Sequence, residues 1–235
     1  MPRQQRIKSN SGYYHIMLRG NERRNIFLDD DDKLRFIETI YQKKQENKFY
    51  LHAFCLMDNH IHLLINEGTE DIAKVIKRIA VSYVFYFNKK YKREGHLFQD
   101  RFRSEIVEDN AYVLALIRYI HQNPVKANIV KYPGNYQWSS YNEYLEENKY
   151  KYSVLDKEMI LSLFSNDSNK SKRLYVEYMN EDCEDSYLDL EENNKIMDEE
   201  EVRQLYEKLL KQRGINLENS TKQQIPDDLI LELKK

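Results

Sequence analysis

The pair His60-Ile61-His62 is the stretch best suited to chemistry, set in the apolar run CLMDNHIHLLI at residues 55–65. Residues two apart on a strand project from the same face, so both imidazoles aim one way. Two imidazoles side by side make a divalent-metal pair that lacks one or two further donors. The same pattern suits two histidines on a half-exposed strand. Of the six histidines in the chain, only these two are so spaced. A second constellation is Tyr119 and Asn123, four apart and therefore on one face of a helix. A phenol and a carboxamide projecting together can supply a nucleophile and an oxygen ligand to one metal. An ordinary core tyrosine and a helix-terminal asparagine fit that spacing too. Pro124 is expected to stop the helix directly after Asn123. Tyr112, seven residues before Tyr119 and nearly on its face, is a rival nucleophile, whereas Tyr83 and Tyr86 read as packing.

Positioning these groups requires strands and helices in a definite order. Residues 12–19 (GYYHIMLR) are rich in β-formers and end at the turn signal Gly20-Asn21. The acidic run Asp29 to Asp32 suits a helix start, and Leu34, Ile37, Ile40 and Tyr41 carry that helix to about Asn47. Residues 49–57 and 60–65 read as paired strands around Asp58-Asn59. Asp58 serves either that turn or the outer shell of a metal. Ile72 to Tyr83 mark a second helix reaching about Lys90. Residues 101–107 (RFRSEIV) alternate as a strand with Arg101 and Arg103 on one face, and Asp109 or Asn110 caps a third helix. The order β-α-β-β-α-β is the split βαβ, ferredoxin-like pattern. It predicts an α+β fold with an antiparallel sheet and helices on one face. A Tyr- and Trp-rich return follows at 131–148, then an acidic, mostly helical extension with a linker at 165–171 and a last helix at about 198–213. The expected domains are 1–148 and 149–235.

These motifs in this order resemble the single-tyrosine HUH transposases of bacterial insertion sequences. Within that family the chain is most similar to the branch associated with repetitive extragenic palindromes (REP). Besides the His-x-His run, the resemblance rests on YHIMLRGNERRNIF (14–27), GHLFQDRF (95–102), RYIHQNPVKANIV (118–130) and WSSYNEY (138–144). It implies metal-dependent nicking and strand transfer of single-stranded or hairpin DNA through a 5′-phosphotyrosyl intermediate. Residue by residue, it implies His60 and His62 as ligands of Mg²⁺ or Mn²⁺, Asn123 in the third-ligand place and Tyr119 as nucleophile. Elsewhere in the wider group Gln stands where Asn123 does, one methylene longer. The alternative is a DNA-binding protein that keeps the fold without transposition. A metal-dependent hydrolase of small phosphoesters lacks an evident carboxylate ligand.

Charge distribution agrees with a polyanionic partner. Residues 1–130 hold 22 Lys and Arg against 16 Asp and Glu, whereas 131–235 hold 15 against 23. Arg19, Arg23, Arg24, Arg101 and Arg103 are the expected phosphate contacts. Trp138 and Tyr141 can stack on an unpaired base or close the core. His15, in the first strand, either reaches the site or serves the fold, the structural reading being favoured, and His96 and His121 read as surface or packing. The two cysteines, Cys55 and Cys183, form no metal clip or disulfide framework. Together with a basic start that no apolar stretch follows, they imply a cytoplasmic protein away from membranes. It is expected to act as a monomer or a homodimer.

Overall fold

The computed structural model describes residues 8–45, 49–145 and 154–181. Four strands, β1 (Tyr13–Arg19), β2 (Phe49–Leu56), β3 (His60–Glu67) and β4 (Arg103–Val107), form one antiparallel sheet in the order β2-β3-β1-β4. With α1 (Asp30–Lys44) and α2 (Ile72–Tyr91) as crossovers, this is the split βαβ topology expected from the sequence. Asp29 caps α1 by accepting from the Asp32 amide at 3.0 Å. Three acidic residues in the first turn and Lys43 and Lys44 in the last complement its dipole. Between the two helices, Phe36 meets Tyr83 edge-on at 5.1 Å, and the Tyr83 hydroxyl donates to the Ile26 carbonyl at 2.6 Å.

Residues paired across antiparallel strands share a face. The register places Arg19 opposite His60, Met17 opposite both His62 and Arg103, and His15 opposite Glu105. That face is therefore polar. The other face carries Tyr14, Ile16, Leu18, Ile61, Leu63 and Ile65, all buried. The third long helix, α3 (Asn110–Lys126), does not join α1 and α2. Ring contacts from Tyr119 to His15 and His62 set it on the polar face.

Several boundaries differ from expectation, each for a local reason. Pro124 does not end α3, which runs on to Lys126. Proline withdraws its own amide and crowds the carbonyl four residues before it, but leaves the amides that follow free to bond. The last turn closes instead through the Ala127 amide to the Asn123 carbonyl at 3.0 Å and the Ile129 amide to the Pro124 carbonyl at 2.9 Å. Arg101 precedes β4 rather than lying within it. Residues 165–171 are not a linker, because Asp167 accepts from the Lys170 amide at 2.7 Å and starts α5 (Ser168–Met179). After a short α4 (Glu158–Ser162), α5 packs on α3 and on the return segment, where Tyr175 stacks on Tyr144 at 4.5 Å. Buried tyrosines bond backbone carbonyls, Tyr136 to Leu56 at 2.8 Å and Tyr144 to His52 at 2.5 Å. Much of the tyrosine excess is thus core packing with a satisfied hydroxyl. The helix expected at 198–213 lies outside the described residues. No described helix is long and apolar enough to cross a membrane.

The turn after β1 depends on Gly20, where a Cβ would stand 2.0 Å from the Arg24 carbonyl oxygen. The next residues use left-handed backbone at Glu22 and Arg23, so the turn has little room to adjust. Gly20→Ala should lower unfolding stability in urea by more than about 1 kcal/mol. An unchanged midpoint would show that the loop relaxes freely.

Candidate active site

Three elements converge on the polar face of the sheet. From β3 come His60 and His62, buried and perpendicular, with ring centroids 5.0 Å apart. From β1 comes His15, whose Nε2 lies 2.9 Å from His62 Nδ1. From α3 comes Tyr119, 3% exposed, its ring edge-on to His62 at 5.8 Å and to His15 at 6.0 Å. Asn123 is buried one turn further along α3. The neighbouring amide is committed elsewhere, since Gln122 donates to the Met179 and Glu181 carbonyls at 2.9 and 2.7 Å. The rival phenol is also engaged: the Tyr112 hydroxyl donates to Glu105 Oε1 at 2.6 Å.

Burial, reinforced by His60, His15 and Arg19, holds the His62 imidazole well below its usual protonation range. Burial also lowers His15, with Glu105 opposing it. Neutral imidazole is the form that binds a metal. His60 Nδ1 lies 2.6 Å from Asn59 Oδ1, an oxygen that only accepts. The proton therefore sits on Nδ1, and Nε2 carries the lone pair. Among the described residues no group of three or more His, Cys, Asp or Glu could hold a metal. If the two histidines held a cation, a third protein donor from the described residues would be of another type, and the amide oxygen of Asn123 suits that role.

The basic residues divide. Arg19, Arg101 and Arg103 line a cleft of about 220 Å³ with Met17, Gln99 and Asp100, adjoining the histidines through the register of Arg19 with His60. Arg23 and Arg24 are exposed in the turn after β1, with Arg24 paired to Glu22 at 2.6 Å. Trp138 is placed differently from a base-stacking residue. It is 7% exposed, its carbonyl accepts from the Leu56 amide at 2.9 Å, and Lys33 lies 5.6 Å over its ring. Tyr141 is likewise in the core, edge-on to His121 at 5.7 Å. Asp58 serves its turn, accepting from the Ile26 amide at 2.7 Å and pairing with Lys33. His121 is packing, held by Ser140 and Tyr175, and His96 is exposed. Three residues were missed from sequence, Asn59, Glu105 and Lys126, whose ammonium lies 5.1 Å over the Tyr119 ring, and His15 was read as structural although it meets His62. The period-2 alternation that puts His15 on the side of Met17 and Arg19 was the one available signal for it.

A model of a family described as IS200-like transposases matches residues 8–123, which contain all the rings of this site. Over that span the chain is similar to the IS200-like transposases. A Haemophilus influenzae protein named as a REP-associated tyrosine transposase is 24% identical over 143 residues, covering 56% of this chain and 80% of the relative. A solved structure of a REP-associated tyrosine transposase bound to a REP hairpin matches 67% of this chain and 96% of its own. Its TM-score is 0.52 at 20% identity, which speaks to the shared fold. The transposase family match ends at Asn123 and so takes in the whole stretch of α3 from Tyr112 to Tyr119.

The buried histidines make stability depend on pH. His15, His52, His62 and His121 are each pushed below the ordinary imidazole value of 6.5 by burial, His121 to about 3. Below pH 6.5 the unfolded chain takes up protons that the folded chain refuses, so stability falls as pH falls from there towards 3. Each such residue contributes a slope on the order of 1 kcal/mol per pH unit. Urea unfolding in metal-free buffer should show a clear loss between pH 7 and pH 5. A flat or rising stability would mean that these rings are protonated in the fold.

Proposed function

We propose that this transposase-like chain cuts and rejoins single-stranded or hairpin DNA with Tyr119 as the nucleophile. On this reading His60, His62 and Asn123 hold a divalent cation, Mg²⁺ or Mn²⁺. The observation that carries it is the meeting of a buried phenol with two neutral-type imidazoles from separate elements, 5.8 Å between the rings of Tyr119 and His62. Two ring nitrogens and an amide oxygen leave positions for water and phosphate oxygens. When bound, the cation supplies Lewis acidity at the scissile phosphate.

The remaining work falls to the chain. Tyr119 Oη adds to phosphorus, the bond to the 3′ oxygen breaks, the phenolic proton is lost and the departing oxygen gains one. Free phenol, with a pKa of about 10, is a weak nucleophile at neutral pH. The Lys126 ammonium over its ring favours the electron-rich phenolate. The resulting 5′-phosphotyrosyl bond retains the phosphodiester energy. Attack by the 3′-OH of another strand restores the phenol without a nucleoside triphosphate. The Arg19, Arg101 and Arg103 cleft neutralises neighbouring phosphates. The hairpin held by the structurally similar transposase makes a hairpin a fitting substrate.

End-labelled hairpin oligonucleotides from the flanks of the gene, incubated with Mn²⁺ and resolved on a denaturing gel, should give a protein-sized adduct holding the strand 3′ of the nick. EDTA should abolish it. Tyr119→Phe should lower it more than about 1,000-fold, whereas Tyr112→Phe should retain it. A persisting adduct in Tyr119→Phe would remove Tyr119 from the role. In binding titrations, replacing Arg101 and Arg103 by Ala should weaken hairpin binding and flatten its salt dependence by roughly 0.7 per lost phosphate contact. An unchanged slope would exclude this cleft from the DNA path.

A further inference from the structure

Behind the histidine pair lies a chain of polar contacts running across the sheet. The Tyr112 hydroxyl donates to Glu105 Oε1 at 2.6 Å, and Glu105 Oε2 lies 3.7 Å from His15 Nδ1. On its other side, His15 Nε2 lies 2.9 Å from His62 Nδ1. Three strands supply it: Glu105 from β4, His15 from β1 and His62 from β3. His15 and His62 are completely buried, and their rings stack at 5.2 Å, 28° from parallel. No step of the proposed strand-transfer reaction uses Glu105 or His15.

The direction of the chain follows from what each atom can do. Tyr112 already gives its proton to Glu105, so the carboxyl is the acceptor, and the neighbouring imidazole and phenol hold it below the usual carboxylate range. A carboxylate oxygen 3.7 Å from His15 Nδ1, too far for a formed hydrogen bond, favours the His15 proton on Nδ1 through its charge. Neutral His15 then has Nε2 as an acceptor, and the 2.9 Å contact is satisfied only if His62 donates from Nδ1. Neutral His62 is left with its lone pair on Nε2.

We propose that Glu105 and His15 are positioning residues for His62, a carboxylate–histidine–histidine relay that fixes its proton on Nδ1 and presents Nε2 as the ligand atom. Asn59 performs the same task for His60 in one step. The relay rests on the metal reading of the site in its purpose, though its polarity can be measured without metal. A carboxylate behind a ligating histidine also makes that ligand more basic, and losing such a partner commonly costs 10–100-fold in metal affinity.

Ring-¹⁵N-histidine NMR of the metal-free full chain tests the polarity, with the His62 signals assigned by their loss in His62→Asn. The expected spectrum has His62 protonated on Nδ1 alone. Protonation on Nε2 would overturn the relay. His15→Phe, which keeps a ring in the core, and Glu105→Leu, which leaves His15 in place, should each give a mixture of His62 tautomers. Retention of the single Nδ1–H form in both would also overturn it. Calorimetric titration with Mn²⁺ tests the purpose: His15→Phe should weaken binding 10–100-fold with thermal unfolding still cooperative. Unchanged Mn²⁺ affinity in His15→Phe, with binding lost in His60→Ala, would sink the relay and spare the metal reading. A wild type that binds no Mn²⁺ would sink the metal reading, while the tautomer spectra still decide the relay.

Discussion

Pairing of β1 with β3 on one side and β4 on the other is the constraint on which the site depends. Side chains alternate along a strand, so a slip of one residue would exchange the two faces of β1. His15, Met17 and Arg19 would turn into the apolar layer, and Ile16 and Leu18 would turn towards Tyr119. The cost of burying those polar groups among Ile61, Leu63 and Ile65 ties register to hydrophobic burial. The same aliphatic residues that close the core on α1 and α2 therefore hold the histidines in line on the opposite face. Stability and site geometry are two readings of one pairing.

The polar face remains tolerable in a folded protein because its groups are partnered. His62 rests on His15, His60 on Asn59, and Tyr112 on Glu105. Desolvation keeps the inner rings neutral, while the Glu105 carboxylate stands half-buried on the edge strand β4. Charge is concentrated instead at the rim, in the arginine cleft beside Arg19. A neutral interior with a cationic rim is an arrangement suited to drawing a polyanion in without burying ions.

The sequence made legible what depends on local rules. Helix starts at Asp29 and Asp109 follow from their capping side chains, the strand order follows from hydrophobic alternation, and the histidine spacing marks one face. It was silent where the outcome depends on which partners the folded chain brings together. Whether Pro124 stops α3 is decided by hydrogen bonds formed three and five residues later. Whether Trp138 is open to a base is decided by Lys33, about a hundred residues away, and by Leu56 of β2, about eighty away. His15 looked like an ordinary strand residue because its partners, His62 and Glu105, come from two other strands. The stretch at 165–171 has the composition of a linker, yet one aspartate is enough to start a helix there.

The underside of α3 is anchored to the last described helix. Gln122 holds two carbonyls at Met179 and Glu181, His121 meets the Tyr175 hydroxyl, and Arg118 pairs with Glu181. These ties sit immediately on either side of Tyr119 in sequence, on the flank of the helix turned away from the histidines. A rotation of α3 about its own axis would have to break them together. The phenol is thus mounted on a helix clamped from behind, and its aim is set partly by residues some sixty positions downstream. Changes at the end of α5, on the side of α3 away from His60 and His62, are mechanically wired to the angle at which Tyr119 meets the sheet.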